Sequence, residues 1–344
     1  MLALGKTKPI AGGGLELVQR DVREPGPGEI LLRVKAAGIC GSDVSIYNWG
    51  AWYANRLQLP RVLGHEMGGI VESVGAGVSR VKKGDNVSLE SHVWCGRCYT
   101  CQLGRTHICP NTKYPGTDFD GTFAEYITVP EQIAWVNPPG LAPELAAALE
   151  PFGIAVHATL LGTGVSGQTV VVNGCGPIGL MNVAVARHYG ARAVIAIDPN
   201  PLRRATALRM GADRAVDPVA EDVVAAVNDS TQAHGADVVF EYTGNVTGAV
   251  NAFKVLTPGG DLRWCATPQV QAPFDFMPWR GKRPTIYTIH GRLLWSTWIV
   301  STPLVYENRI DLSPVLSHTF ALKDAQHAFD LIAAGQANKP ILIP

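Results

Sequence analysis

The chain has 344 residues, 47% of them apolar and 17% charged, with 29 Lys plus Arg set against 29 Asp plus Glu. This is long enough for two ordinary domains with separate cores and too apolar for extended disorder. The balanced charge leaves no electrostatic footprint for nucleic acid or an anionic membrane surface, so the expected partner is a small molecule.

The opening residues, Met1 to Pro9, lack the apolar core of a signal peptide. No stretch reaches the roughly 18 uninterrupted apolar residues of a membrane span. The nearest, 141–162, is broken by Glu144, Glu150, Pro151 and His157. Seven cysteines, an odd number, fit a reducing compartment, so the expected location is cytoplasmic.

Up to about residue 150 the chain reads as short strands between glycine turns, such as Glu29-Ile-Leu-Leu-Arg-Val-Lys35, Gly69-Ile-Val-Glu-Ser-Val74 and Asp85-Asn-Val-Ser-Leu89. Within this region Cys95, Cys98, Cys101 and Cys109 follow C-x2-C-x2-C-x7-C, a spacing that turns four sulfurs toward one point. Four thiolates make a closed tetrahedral zinc site with no position left for chemistry. A disulfide pair is the bland alternative, and Pro110 after Cys109 keeps an iron–sulfur cluster in view.

From about Gly167 strand and helix alternate. Gln168 to Asn173 reads as a strand, Pro177 to Tyr189 as a helix, Ala193 to Asp198 as a strand, Pro201 to Met210 as a helix, and Asp237 to Glu241 as a strand. Repeated strand–helix units imply a parallel sheet covered on both faces. Gly174-Cys-Gly176-Pro-Ile-Gly179 is a G-x-G-x-x-G sequence that follows a strand and opens a helix, with Asp198 ending the next strand. Gly174 permits the turn, Gly176 lets backbone approach a pyrophosphate, and Gly179 allows close helix–sheet packing. Pro177 suits the first helical turn, whose N-terminus faces the phosphates. Asp198 is expected to accept from the adenosine ribose and to favour NAD over NADP, with Arg203 and Arg204 as cations able to receive a phosphate. The run Thr285 to His290 reads as an edge strand of this sheet or as an internal one.

With four cysteines assigned to the lobe, Cys40, Cys175 and Cys265 remain; Cys175 and Cys265 read as packing residues. Cys40 lies in a polar turn, Gly38-Ile-Cys-Gly-Ser-Asp43. Gly64-His65-Glu66 follows, and Glu150 precedes the second domain. A catalytic zinc takes about three protein ligands and one exchangeable position. Cys40, His65 and a carboxylate of Glu66 or Glu150 supply that set.

These residues, in this order, resemble the zinc-dependent medium-chain dehydrogenase/reductase family over essentially the whole chain. The resemblance implies an α/β fold: a doubly wound Rossmann sheet (151–288) plus a mostly β, partly open barrel of GroES-like type (1–150, zinc lobe 90–112) completed by 289–344. It implies hydride transfer from a secondary alcohol to NAD, two zinc ions per subunit, and a homodimer or homotetramer. Cys40, His65 and Glu150 are the implied catalytic-zinc ligands, with Glu66 alternating or behind them, and Ser42 takes the hydroxyl proton. Ile178, Arg203, Ala266, His290 and Arg292 join the glycines in the implied cofactor contacts. His92, Trp49, Trp94 and Asp118 line the implied substrate pocket.

Ile46 to Trp49 with Trp52, Glu90-Ser-His92, 104–112, 150–157, Ile289 to Arg292 and Asp311 to Pro314 are similar to the members that oxidise L-threonine. A polyol, sugar or diol dehydrogenase is the alternative within the family, and a non-catalytic NAD-binding or structural zinc protein the alternative outside it. Ser45 stands where many members carry a proton-passing histidine, and 113–120 and 269–283 depart from the family pattern.

Overall fold

The computed structural model describes residues 1–266 and 276–344, so part of the divergent 269–283 segment lies outside the described residues. The chain divides into two units, Met1–Glu150 with Leu316–Pro344, and Pro151–Val315. Residues 289–315, expected with the C-terminal segment, group with the second unit instead. Their helix, Ser296–Tyr306, buries Trp298, Ser301, Thr302, Leu304 and Val305, and Arg292 packs closely on Gly153 of the same unit.

In the first unit a seven-stranded sheet runs His318–Ala321, Pro340–Ile343, Glu29–Gly38, Glu66–Val74, Asn86–Leu89, Ala134–Val136, with Tyr126–Pro130 paired to Glu29–Gly38. All neighbouring pairs are antiparallel except His318–Ala321 with Pro340–Ile343. Ile30, Leu32, Val34, Met67, Val71, Val87 and Leu89 turn inward onto Phe123 and Phe329. The long strand Glu29–Gly38 is central to the site. At its C-terminal end Gly38 pairs with Glu66 on one side and Ile341 on the other. Leu2–Lys6 pairs antiparallel with Leu15–Gln19 and with Arg61–Val62 in a second, three-stranded sheet.

The helix Pro143–Leu160 begins against the strand that starts at Glu66. A Cβ on Gly68 would overlap the Pro143 carbonyl and the Ala146 side chain, so the strand must carry glycine there. Pro151 sits inside this helix without ending it. Proline removes one hydrogen bond, yet Ala147, Ala148, Leu149, Phe152, Ala155 and Val156 are all fully buried and packing offsets that loss.

The second unit holds a six-stranded, wholly parallel sheet in the spatial order Arg214–Val216, Ala193–Ile197, Thr169–Asn173, Ala236–Glu241, Leu256–Trp264, Thr285–Thr288. Thr285–Thr288 is its edge strand. Every residue of Thr169–Asn173 is buried, which accounts for its unbroken Val run. The order reverses beside Thr169–Asn173, the switch point at which doubly wound sheets bind ligands beyond their strand ends. Among the described residues no helix is long and apolar enough to cross a membrane.

Candidate active site

Cys40 precedes the helix Gly41–Tyr47 rather than sitting in a plain turn, and takes its N-cap position with extended backbone, φ −92° and ψ 158°. Three residues on, the Asp43 carboxylate accepts from the Cys40 N–H at 2.9 Å, satisfying one of the free donors at a helix start. Its other oxygen accepts from the Gly64 N–H at 3.1 Å. One buried carboxylate therefore fixes both the Cys40 loop and the turn that delivers His65. Sequence reading had not singled out Asp43, although the i, i+3 spacing to Cys40 is a capping signature. Gly64 holds φ at +90°, and a Cβ there would overlap Phe123.

The donor atoms of Cys40, His65 and Glu66 lie within 4.8 Å of one another, the first two residues half-buried and Glu66 buried. Glu150 is not in that group. It is buried on the helix Pro143–Leu160, near enough for its charge to act on His65 and Glu66. Burial alone would push the His65 imidazole down. The charge of Cys40, Asp43 and Glu150 outweighs it and lifts His65 to about 10. Burial pushes the Glu66 carboxyl up, with Lys339 opposing and Glu150 reinforcing. A thiol, an imidazole and two carboxylates thus share a pocket whose excess negative charge favours a cation. That donor set suits a divalent zinc with a position to spare.

Ser42 Oγ is buried in the same turn, beside the Tyr53 hydroxyl. Burial, then the negative charge of Cys40 and Asp43, pushes the Tyr53 phenol well above its usual range. Ser45 is not poised as a proton carrier, since its hydroxyl donates to the Gly41 carbonyl at 3.1 Å.

His92 and Glu90 form a buried pair with Nδ1 to Oε1 at 2.6 Å, and the His92 ring meets Tyr114 edge to face. Glu90 also accepts from the His92 backbone N–H at 3.1 Å, so this acid orients His92. Asp118 is taken up by Arg56 through Nε at 3.1 Å and Nη2 at 2.9 Å and 2.7 Å. Trp49 and Trp94 are partly buried against the core of the first unit, which makes them packing residues as well as expected pocket walls.

The lobe brings its four cysteines together, all of them free thiols. Cys98 Sγ lies 3.5 Å from Cys101 Sγ and 3.7 Å from Cys109 Sγ, and Cys109 Sγ 3.6 Å from Cys95 Sγ. Sulfurs about 2.3 Å from a central zinc would be about 3.8 Å apart, which these separations match and a disulfide does not. Backbone N–H groups, that of Arg97 foremost, lower Cys95 to about 6, favouring the thiolate that a metal needs.

In the second unit Gly174 holds φ at +96° and passes close to Thr243. A Cβ on Gly179 would overlap the Gly174 carbonyl, so that glycine is required by close approach. Gly176 differs: a Cβ there would meet nothing within 4 Å. Its bareness serves no protein contact, and it caps the helix Pro177–His188, where a pyrophosphate fits. Asp198 accepts from the Cys175 N–H and the Asn200 N–H, each at 2.8 Å, tying the glycine turn to the neighbouring strand end. Arg203 Nη1 stands 3.8 Å from Asp198. Arg292 is fully buried, its guanidinium 6.0 Å from the Trp298 ring, rather than exposed on a loop. His290 is exposed and Ala266 follows the strand Leu256–Trp264. Burial holds Cys175 above the usual thiol range and Cys265 at about 12, in line with packing roles.

Residues 26–139 match the alcohol dehydrogenase GroES-like domain, and residues 177–305 the zinc-binding dehydrogenase family. The chain is 41% identical over 345 residues to an L-threonine 3-dehydrogenase of Pyrococcus horikoshii, covering all of this chain and 98% of that one. It is 42% identical over 334 residues to an L-threonine 3-dehydrogenase of Bacillus subtilis, covering 96% and 95%. Among solved structures, a zinc-binding dehydrogenase of Sinorhizobium meliloti bound to NADP matches with a TM-score of 0.90 at 29% identity, covering 99% of each chain. An alcohol dehydrogenase of Escherichia coli CFT073 complexed with NADH matches with a TM-score of 0.87 at 27% identity, covering 100% and 99%.

Proposed function

The chain belongs to the zinc-binding alcohol dehydrogenase family, an oxidoreductase acting on CH–OH donors, and on that premise we propose that it oxidises the secondary hydroxyl of L-threonine with NAD. The chemistry is carried by one observation, the convergence of Cys40, His65 and Glu66 in a negatively charged pocket. The choice of substrate is supported by full-length likeness to L-threonine 3-dehydrogenases.

Cys40 and His65 hold the catalytic zinc, with a third ligand from Glu66 or Glu150, and the four cysteines of the lobe hold a second zinc. Zinc in the open site supplies Lewis acidity toward a substrate hydroxyl. Asp43 keeps the two ligand loops in register. Ser42 accepts the hydroxyl proton. Tyr53, which retains its own proton, stands beside the buried Ser42 hydroxyl as the group able to steady it. Glu90 sets the orientation of His92 toward the substrate. In the second unit the glycine turn and the start of the helix Pro177–His188 cradle the pyrophosphate, and Asp198 receives the adenosine ribose. Arg203, Ala266, His290 and Arg292 are further cofactor-side residues.

The seven free cysteines suit a reducing cytosol. The edge strand Thr285–Thr288, with Ile286 45% exposed, supports assembly as a dimer or tetramer.

Initial rates of NAD reduction with L-threonine, sorbitol, 2,3-butanediol and a simple secondary alcohol test the substrate. L-threonine is expected to lead in kcat/KM by at least about tenfold, or ~1.4 kcal/mol. A polyol or diol in first place would transfer the enzyme to another substrate class.

The lobe makes a separate prediction. Cys101→Ser is expected to cut bound zinc from two ions per chain to one and to lower the Tm by several degrees, because a structural metal contributes folding energy directly. Metal analysis and a thermal melt check it; undiminished zinc content would remove the lobe from the metal-binding residues.

A further inference from the structure

Behind the Cys40–His65–Glu66 group lies a fully buried cation. Lys339, 1% exposed, immediately precedes the strand Pro340–Ile343 and forms an ion pair with the fully buried carboxylate of Glu66. Its ammonium also donates to the Ile39 carbonyl at 3.0 Å, next to Cys40 in the chain. Sheet topology makes this meeting possible. Gly38 pairs with Glu66 on one side and with Ile341 on the other, so the C-terminal strand delivers a lysine across the end of Glu29–Gly38 to the metal pocket. Gly38 leaves the passage open: a Cβ there would overlap Glu66 Oε2 and approach Lys339 Cε to 3.0 Å.

We propose that Lys339 is a positioning residue that competes with the bound metal for the Glu66 carboxylate, holding that acid back so that a coordination position stays open to substrate. The inference rests on the reading that Cys40 and His65 hold the metal, with Glu150 rather than Glu66 as the third ligand. Its logic is charge and reach. The sulfur of Cys40 and the carboxylates of Asp43, Glu66 and Glu150 place up to four negative charges around a divalent ion, and Lys339 supplies a further positive charge that offsets part of the excess. A buried carboxylate left without its cation is costly, so it must take up a proton or the next available cation. Here that is the metal, since Glu66 already has an oxygen within 4.8 Å of the other donor atoms.

The test uses the full chain with cobalt(II) in the exchangeable site and zinc left in the lobe. In Lys339→Met, Glu66 is expected to join the coordination sphere. The visible d–d bands should weaken at least twofold as coordination rises from four to five, cobalt should bind at least tenfold tighter, and the KM for the alcohol should rise at least tenfold. Lys339→Arg, which keeps the charge, should restore the wild-type spectrum. Removing one partner of a buried pair is strongly destabilising, whereas removing both is often tolerated. The double variant Lys339→Met with Glu66→Gln therefore keeps the question open to measurement even if the single variant does not fold, and its spectrum should match the wild type. An unchanged spectrum and KM in Lys339→Met would overturn the proposal. So would an altered spectrum in the double variant, which would make Glu66 a resident ligand. A failure of the metal site itself is seen separately, as retention of the cobalt when Cys40 is removed.

Discussion

Replacing Cys40 with Ala is expected to leave one zinc per chain instead of the two proposed, and to lower kcat/KM by about four orders of magnitude, or ~5.5 kcal/mol of transition-state stabilisation. Cys40 brings the only sulfur to the Cys40–His65–Glu66 group, and a sulfur is the soft donor that zinc favours there. Structural collapse is not the expected cause of the loss. The Cys40 backbone at φ −92° and ψ 158° is ordinary for alanine, and the hydrogen bond that fixes this turn runs from the Cys40 N–H to Asp43, which the substitution leaves untouched. The Tm should therefore fall by no more than the metal's own contribution, and the lobe should keep its ion. Metal analysis, a thermal melt and initial rates on one preparation separate these effects. Two zincs and near-normal turnover in this variant would end the case for a metal centre at Cys40. His65→Ala should follow the same pattern, whereas Glu66→Gln and Glu150→Gln differ according to which acid ligates.

Local patterns were legible in the sequence because their physics is local. The lobe's four cysteines lie close together in the chain, and the glycine turn announces itself by where its strand ends and its helix begins. The Val run of Thr169–Asn173 marks a strand buried on both faces. What stayed hidden depends on pairings across long separations. Lys339 meets Ile39 some 300 residues away, through a strand pairing that no periodicity encodes. Arg56 reaches Asp118 across 62 residues and takes up a carboxylate that the resemblance had placed in the substrate pocket. Arg292 enters the sequence reading as an implied cofactor contact, and only the fold shows its side chain fully buried, against Gly153 and near Trp298. Glu66 and Glu150 could not be ranked as ligands from spacing, since one lies beside His65 and the other arrives on a helix. The resemblance implied that the chain returns to the first unit at 289, whereas the residues up to Val315 group with the second unit, a long-range packing that no local pattern reveals.

The same distinction between a residue's charge and its structural bonds governs the other large effect, at Asp198. Asp198→Asn is expected to shift the preference for NAD over NADP by about 100-fold toward NADP, or ~2.7 kcal/mol. The carboxylate is 3% exposed and accepts from the Cys175 and Asn200 N–H groups; on the proposed cofactor reading it also faces the ribose, where its charge would oppose a 2′-phosphate. Asparagine keeps one acceptor oxygen and removes the charge, at a cost of about 1–3 kcal/mol for the N–H left facing an amide nitrogen. Of the two arginines that follow, Arg204 is committed, donating to the Asp198 and Pro199 carbonyls and pairing with Asp217 at 2.9 Å. Arg203 lies 3.8 Å from Asp198, and its buried Nε makes no hydrogen bond among the described residues. Once the carboxylate is neutral, Arg203 is the cation that meets the phosphate. Adding Arg203→Met to Asp198→Asn should therefore erase the gain with NADP while leaving the loss with NAD. Initial rates with both cofactors across the three proteins decide it, and a cofactor ratio that ignores the Asp198 charge would mean the ribose is read elsewhere.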